Sequence, residues 1–290
     1  LVARSEEDTM SATTATSARV TRVAHLSDAH VLDHRPASRR SRYELGLRFV
    51  SLGRPLDATE RAKKLASAFA AAQRAGADHF VVSGDLTETG TPEQFEAFAE
   101  ILSDSKIAPA RITLVPGNHD AYTSASAWGN ALSGPLAPYA ATSAGVPGLV
   151  VDLGGLCFLP VDVACHQPVT RSAGELSLHA AGCLERRFAD PLLAKGAVVL
   201  VQHHPPYRRF GAWQWIDGLR GWANLMSLLE RFPHVQLLHG HLHRAVSRMV
   251  SVGRDRIFGA PAVVDDAHAP RVRMYELQDG ALASTGLIGA

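Results

Sequence analysis

The sequence is short of several things, and each shortage excludes a class. Of its 290 residues only three are cysteine, Cys157, Cys165 and Cys183. That is too few for a disulfide framework, and none has the Cys-x-x-Cys spacing of a thiolate metal or redox site. No apolar run approaches the roughly 18–20 residues of a membrane span. Neither sign of charge dominates: the formal net charge is +1, whereas a general nucleic-acid binder needs a basic face. The basic segment and roughly 7–15-residue apolar stretch of a secretory signal are missing, so a cytoplasmic location is expected. Lysine is scarce, since 25 of the 29 basic residues are arginine. What is present is a chain 46% hydrophobic, ample for the core of one large domain or two small ones. Histidine is plentiful, with 14 copies, and it is the commonest metal ligand among side chains.

Residues 1–18 read as a disordered or tag-derived N-terminus: Leu1 to Asp8 lacks a start methionine, and Met10 opens a Ser/Thr/Ala run ending near Ala18. Residues 19–290 read as one folded domain of two sheet-containing halves. Val20 to Leu26 is a β-branched strand. Asp57 to Ala75 is a helix with a capping box at Asp57 and Glu60 and a terminating Gly76. His79 to Val82 is a strand, and Thr91-Pro92-Glu93-Gln94 caps a helix running to about Leu102. Arg111 to Val115 is the next strand. In the second half, Leu149–Leu153 and Leu156–Val161 suggest a hairpin across Gly154-Gly155, and Leu178–Phe188 and Trp222–Arg231 are helical. Ala197–Gln202, Val235–Leu238, Ala245–Val252, Arg256–Phe258 and Val272–Leu277 read as strands. Strands alternating with helices argue for an α/β layered sheet.

Five polar clusters each follow a predicted strand: Asp28-Ala29-His30, Gly84-Asp85, Gly117-Asn118-His119-Asp120, His203-His204 and His241-Leu242-His243. In open α/β sheets ligands bind beyond the carboxyl ends of the strands, so these clusters are expected to converge. Residues two apart in an extended chain project to the same side, which pairs Asp28 with His30 and His241 with His243. Gly84, Gly117 and Gly240 precede candidate ligands, where a tight turn or close backbone approach is expected. The convergent set mixes carboxylate, amide and imidazole without thiolate, and suits Mn, Fe, Zn or Co. It exceeds one tetrahedral site and fits two metals sharing a carboxylate, about 3.5–4 Å apart, as used in in-line phosphoryl displacement.

The ordered set D-x-H, G-D, G-N-H-D, H-H-P-P and G-H-x-H resembles the calcineurin-like metallophosphoesterase superfamily, over roughly residues 20 to 245. The wording around the motifs, Ser27-Asp28-Ala29-His30, Gly84-Asp85-Leu86-Thr87 and Val115-Pro116-Gly117-Asn118-His119-Asp120, is similar to the bacterial class III cyclic-nucleotide phosphodiesterase branch. The resemblance implies an α/β fold built as a four-layer α/β/β/α sandwich, two mixed β-sheets flanked by helices. It implies that Asp28, His30 and His243 hold one metal, that Asn118, His203 and His241 hold a second, and that Asp85 bridges them. A hydroxide activated by the two cations would attack phosphorus. His119 would be no ligand but would stabilise the phosphoryl oxygens or protonate the leaving alkoxide, and Asn118 would also orient phosphate. The family pattern His-x-Pro, counted from the ligand, favours His203 over His204 and leaves the choice open. Glu88 stands where the family often has an aspartate that supports the catalytic histidine, which puts that support in doubt here.

Other residues have blander readings. His204 and His239 are either hydrogen-bond partners of ligands or packed neighbours, and Asp120 either orients His119 or caps a loop. His25, His79, His166, His179, His234 and His268 have no motif partner and read as surface or core histidines. Val31 to Pro55, with Arg35, Arg39, Arg40, Arg42, Arg48 and Arg54 among apolar residues, is either a lid over the centre or a solvated or docked segment. Tyr207 to Trp222, carrying Trp213, Trp215 and Trp222, either stacks on a base or packs a homodimer interface.

The function expected is hydrolysis of a small-molecule phosphodiester, with 3′,5′-cyclic nucleotides leading. The competing substrates are a nucleotide-sugar or lipid-linked pyrophosphate, which a membrane-facing lid with peripheral contact would suit, and a phosphomonoester. A metal-bound scaffold without catalysis would be expected to have lost His119 or a ligand, and none is lost.

Overall fold

The structure is a computed structural model, and it describes residues 20–34, 46, 51, 53–265 and 270–289. The N-terminal segment 1–18, most of the arginine-rich stretch after His34, and His268 lie outside the described residues.

Alternation along the strands sets the layers. In β1 (Arg22–Leu26), Val23 belongs to one apolar cluster, while Ala24 and Leu26 belong to another. Successive residues of a strand point to opposite faces, so each sheet is buried on both sides and its inner strands read as continuous apolar runs. The first sheet comprises β1, β2 (His79–Ser83), β3 (Ile112–Val115), β12 (Arg271–Gln278) and β13 (Ala281–Gly289), in the order β13-β12-β1-β2-β3. The second comprises β4 (Val151–Asp152), β5 (Leu156–Pro160), β7 (Ala197–Val201), β9 (Val235–His239), β10 (Val246–Arg248) and β11 (Ile257–Gly259), in the order β10-β11-β9-β7-β5-β4. A small parallel pair, β6 (Gly174–Glu175) with β8 (Leu219–Arg220), stands apart from both.

Three apolar clusters account for the sandwich. The first joins Ala24, Leu26, Phe80 and Val82 to helices α1 (Ala58–Arg74), α2 (Pro92–Asp104) and α3 (Ala127–Ser133), through Leu65, Phe69, Phe98 and Trp128. On the other side of the molecule follow α4 (Leu178–Phe188), the short α5 (Trp213–Asp217) and α6 (Trp222–Arg231). The second cluster joins Val198, Leu200, Val235 and Leu237 to α4 and α6, through Leu184, Phe188, Leu225 and Leu229. The third lies between the sheets, where Val23, Val81 and Tyr275 meet Phe158, Val199 and Leu238. Helix, sheet, sheet, helix is the four-layer order expected. A fully buried Leu or Phe contributes ~1.5–3 kcal/mol, so each layer interface carries many such terms.

Local signals explain the helix ends. The Asp57 carboxylate accepts from Glu60 N at 3.0 Å and starts α1. Thr91 Oγ1 accepts from Gln94 N at 3.3 Å, with Pro92 at the first helical position of α2. The Gln94 side chain does not return to Thr91 as the capping-box spacing predicts. It accepts from Thr89 N at 2.8 Å and Thr89 Oγ1 at 3.1 Å, closing the preceding loop instead. The strand expected over Ala245–Val252 shortens to Val246–Arg248, and the last strand, β13, has no counterpart in the sequence reading.

Two topological facts position the site. β1, β2 and β3 are mutually parallel, as are β5, β7, β9 and β11. The carboxyl ends of each parallel set therefore emerge along one edge. The chain end then returns to the first sheet, where β12 pairs antiparallel with β1.

Candidate metal centre

The loops that follow β1, β2, β3, β7 and β9 are sewn to one another. Asp28 N donates to Gly84 O at 3.0 Å, and His30 N donates to Asp85 O at 2.9 Å. Gly240 N donates to His203 O at 3.0 Å, and His241 N donates to the Asp28 carboxylate at 3.1 and 3.2 Å. Asp28, His30, Asp85, His241 and His243 all have positive φ, between 48° and 67°. Left-handed backbone is uncommon for residues with a Cβ and costs of order 1–3 kcal/mol each. The cross-links hold that strain where the polar side chains must turn inward. Two glycines make the approach feasible. A Cβ on Gly117 would stand 2.1 Å from Asp85 Oδ1, and one on Gly240 would stand 1.8 Å from Ser27 Oγ.

The side chains gather into three donor groups, one of them His30, Glu88 and His119. Asp28, His30 and His243 offer ligand atoms within 4.8 Å of one another, and so do Asp85, His203 and His241. Asp85 faces histidines of both the latter groups: its Oδ2 lies 3.8 Å from His30 Nε2 and 3.2 Å from His203 Nε2. His243 Nε2 lies 3.3 Å from Asp28 Oδ1. Asn118 and His119 join Asp85, His241 and His243 in lining a cleft of about 350 Å³. Asp28, His30, Asp85, Asn118, His119, His203, His241 and His243 thus each belong to a donor group or line the cleft. His30 Nε2 and Asn118 Oδ1 are buried without a hydrogen-bond partner among the described residues, and His203 Nε2 faces the Asp85 carboxylate. Leaving such atoms unpaired costs ~1–3 kcal/mol apiece. Two such unpaired ligand atoms in one oxygen- and nitrogen-rich pocket fit divalent cations, and a donor set without thiolate fits harder ions.

Each of these imidazoles has one ring nitrogen occupied by a protein partner. His30 Nδ1 lies 3.3 Å from Glu88 Oε2. His203 Nδ1 donates to Ser83 O at 2.7 Å. His241 Nε2 pairs with Asp217 Oδ1 at 2.5 Å, and His243 Nδ1 pairs with Asp265. A second partner of this kind fixes tautomer and ring orientation of a metal-binding imidazole. Asp217 and Asp265 were not visible in the sequence. Asp217 ends α5, a segment conspicuous for tryptophan rather than for its acid. Asp265 is set beside His243 because Val263 N and Val264 N donate to Ser27 O and Asp28 O at 2.9 and 3.2 Å.

The remaining polar residues sort themselves by contact. His119 Nδ1 donates to the backbone carbonyl of Glu88 at 2.7 Å. The support that Glu88 puts in doubt therefore comes from its main chain. Its carboxylate serves His30 instead and is held by Ser51 Oγ at 2.8 Å and by Arg61. Asn118 Nδ2 donates to Tyr122 OH at 3.0 Å, leaving Oδ1 for the pocket. Asp120 does not touch His119: it accepts from Leu86 N, Thr87 N and Gly117 N at 2.8–3.0 Å and ties two loops together. His204 bonds Ser172 O at 2.7 Å through Nε2, with its ring 4.4 Å from that of His241. His239 packs near Tyr207, their rings 6.0 Å apart. From the arginine-rich stretch, Arg54 reaches the cleft, with Nη2 3.8 Å from Glu88 and Nη1 3.9 Å from Asp265.

The electrostatics favour positive charge at the centre. Burial alone would raise the carboxyls of Asp28 and Asp85, yet both fall below the usual range because His243 and His203 lie against them. Burial likewise opposes charge on those imidazoles, but the carboxylates win: Asp85 and Asp28 lift His203 to about 9, and Asp28 and Asp265 lift His243 to about 10. His30 goes the other way, down to about 3, through burial and the Arg54 charge. A bound cation would displace the protons held on His203 and His243.

The sequence pattern of calcineurin-like phosphoesterases matches residues 21–245. The chain belongs to that family. Among curated relatives of this phosphoesterase, the 3′,5′-cyclic adenosine monophosphate phosphodiesterase CpdA of Escherichia coli K12 is 30% identical over 58% of the chain and 54% of its own length. The 3′,5′-cyclic-nucleotide phosphodiesterase alr5338 of Nostoc sp. PCC 7120 is 26% identical over 59% and 58%. The glycerophosphodiester phosphodiesterase GpdQ of Enterobacter lignolyticus is 27% identical over 57% and 56%. The chain thus spans just over half the length of the curated relatives it matches. Among solved structures, a dimetal phosphatase from Danio rerio superposes with a TM-score of 0.67 at 13% identity, covering 93% of this phosphoesterase and 96% of the other chain. TT1561 of Thermus thermophilus gives 0.55 at 14% identity, covering 92% and 99%. At those identities the likeness speaks for the fold alone. No helix of the described residues is long and apolar enough to cross a membrane.

Proposed function

We propose that this phosphoesterase hydrolyses phosphodiesters at a two-metal centre, with 3′,5′-cyclic nucleotides as the substrate class. One observation carries the reading: a single carboxylate, Asp85, faces histidines of two donor groups, 3.8 Å from His30 and 3.2 Å from His203. Asp28, His30 and His243 would hold one ion, and Asn118, His203 and His241 the other. When bound, such ions supply Lewis acidity at the phosphoryl oxygens and lower the pKa of water. Their identity is expected among Mn, Fe, Zn and Co. The substrate class draws support from relatives bearing the names of cyclic-nucleotide phosphodiesterases.

The protein's own groups have distinct tasks in this reading. Asn118 is braced by Tyr122 and lines the cleft, where it would meet a phosphoryl oxygen. His119 has Nδ1 committed to Glu88 O, so Nε2 is the nitrogen available to the cleft. A proton on Nε2 passes to the leaving alkoxide as the P–O bond breaks. The Glu88 carbonyl holds the ring in that orientation through the transfer.

The test is a panel assay of Mn²⁺-reconstituted protein, ranked by kcat/KM, on cyclic nucleotides, glycerophosphodiesters, nucleotide-sugar pyrophosphates and monoesters. Cyclic nucleotides should rank first. A pyrophosphate or monoester in first place would overturn the substrate class, and no turnover of any of them would overturn the activity. His119→Ala should lower kcat by ~10²–10⁴-fold, the usual weight of a general acid. Its metal content should be unchanged. Full turnover by that variant would remove the role given to His119.

A further inference from the structure

The segment leading to Asp217 carries aromatic side chains that the chemistry above does not use and that do not themselves line the cleft. Phe210, Trp213 and Trp215 are 92%, 61% and 62% exposed, large apolar surfaces left in water. Trp215 differs from the other two in being built into the site. The Arg171 guanidinium lies over its ring, 4.0 Å from the centroid. Arg171 Nε and Nη2 also donate to the Trp215 carbonyl at 3.3 and 3.0 Å, so the stacked pair is pinned to the main chain.

Both members are next to cleft-lining residues. Ser172 follows Arg171, and Asp217 stands two residues beyond Trp215; both line the cleft. Trp215 and Asp217 both lie in α5, where two residues advance about 3 Å along the axis. The two segments are fastened together by Ser172 N to Ile216 O at 2.8 Å and Ser172 Oγ to Asp217 Oδ1 at 3.0 Å. A further chain of bonds leads to the reacting end. The Arg171 carbonyl accepts from Tyr122 OH at 3.1 Å, and Tyr122 OH accepts from Asn118 Nδ2 at 3.0 Å. A ligand with phosphate at Asn118 and an aromatic ring at Trp215 would be held at both ends by one connected frame.

We propose that the Arg171–Trp215 pair is a stacking platform for the nucleobase of a nucleotide substrate. Arg171 covers one face of the indole, and the exposed face is left for a base. The fixed guanidinium adds positive charge for a ligand that also carries phosphate. The inference rests on the phosphoesterase reading and goes beyond it by making the base, rather than the sugar or a lipid tail, a source of selectivity. Among the described residues no such ring contact ties Phe210 or Trp213 to the cleft frame, and both serve as internal controls. A membrane surface would engage all three aromatics alike.

The experiment is equilibrium binding to the Mn²⁺-loaded protein of two non-hydrolysable 5′-phosphonates, that of adenosine and that of ribose. The ratio of their affinities isolates the base, because both share the phosphonate end. The adenosine ligand should bind the wild type ~10–100-fold more tightly, the range that stacking on an aromatic side chain supplies. Trp215→Ala should bring the ratio close to unity, Trp215→Phe should keep most of it, and Trp213→Ala should leave it as it was. Equal affinities in the wild type, a ratio that survives Trp215→Ala, an equal loss in Trp213→Ala, or no binding of either phosphonate would overturn the proposal. So would wild-type retention on anionic vesicles, abolished by Trp213→Ala, without base preference. Because the readout is binding, a failed turnover panel sinks the functional reading without being confused with a failed platform.

Discussion

Asp217, Glu88 and Asp265 do the same work for three different histidines. Each carboxylate occupies one ring nitrogen, so the other nitrogen is the one left for a cation. Asp217 is itself anchored, accepting from Ser172 Oγ at 3.0 Å and from Arg209. Burial works against its charge, but His241 and Arg209 hold its carboxyl below the usual range. Asp217→Asn keeps the shape and loses the charge. It should weaken metal affinity by ~10–100-fold, read by competition with a chelator, while thermal stability changes little. Unchanged affinity would show that Asp217 does not govern His241. The motif residues themselves were legible because each cluster is contiguous and follows a strand, so local spacing was enough to group them. Their carboxylate partners were not, because the pairing spans 24 residues for Asp217 and 22 for Asp265, with no local pattern to announce it.

Elements were legible where burial and capping coincide. α1 and α4 have side-chain caps at Asp57 and Ser177 and an apolar stripe ending in Leu65 and Phe69, or Leu184 and Phe188. β2, β7 and β9 are buried along their whole length. α3 was not foreseen, having seven residues with Gly129 inside, nor was β13, whose middle is exposed on the outside of its sheet. The buried strand β2 also makes a pH prediction. His79 stands between the sheets, stacked on Phe158 with centroids 5.2 Å apart and bonded to Thr113 Oγ1 at 2.9 Å. Burial pushes its imidazole down to about 3, with the Arg111 charge adding to the effect. Below an unfolded value of about 6.5 the unfolded chain takes up a proton that the folded chain refuses. The neutral imidazole therefore supports the fold above about 6.5, and that support is lost as pH falls toward 3. The slope is about 1.4 kcal/mol per pH unit. His79→Gln should remove this contribution, so the wild type should lose about 2 kcal/mol more than the variant between pH 7 and pH 5 in denaturant titrations. Parallel losses in the two proteins would contradict the assignment.

At the scale of the molecule, the centre belongs to both sheets. Asp28, Asp85 and Asn118 leave strands of the first sheet, and His203, His241 and His243 leave strands of the second. The layered class was readable from strand–helix alternation. The strand order was not, since β12 lies beside β1 through pairs such as Arg22 with Glu276, a closure across nearly the whole chain. Together the sheets assemble two donor groups that neither sheet holds alone, with Asp85 facing histidines of both. The direct measurement of that claim is the metal content of the protein after reconstitution with Mn²⁺ and removal of free ion. About two ions per chain are expected, in keeping with a shared carboxylate between two sites. A ratio of one or less, at saturating metal and neutral pH, would contradict it.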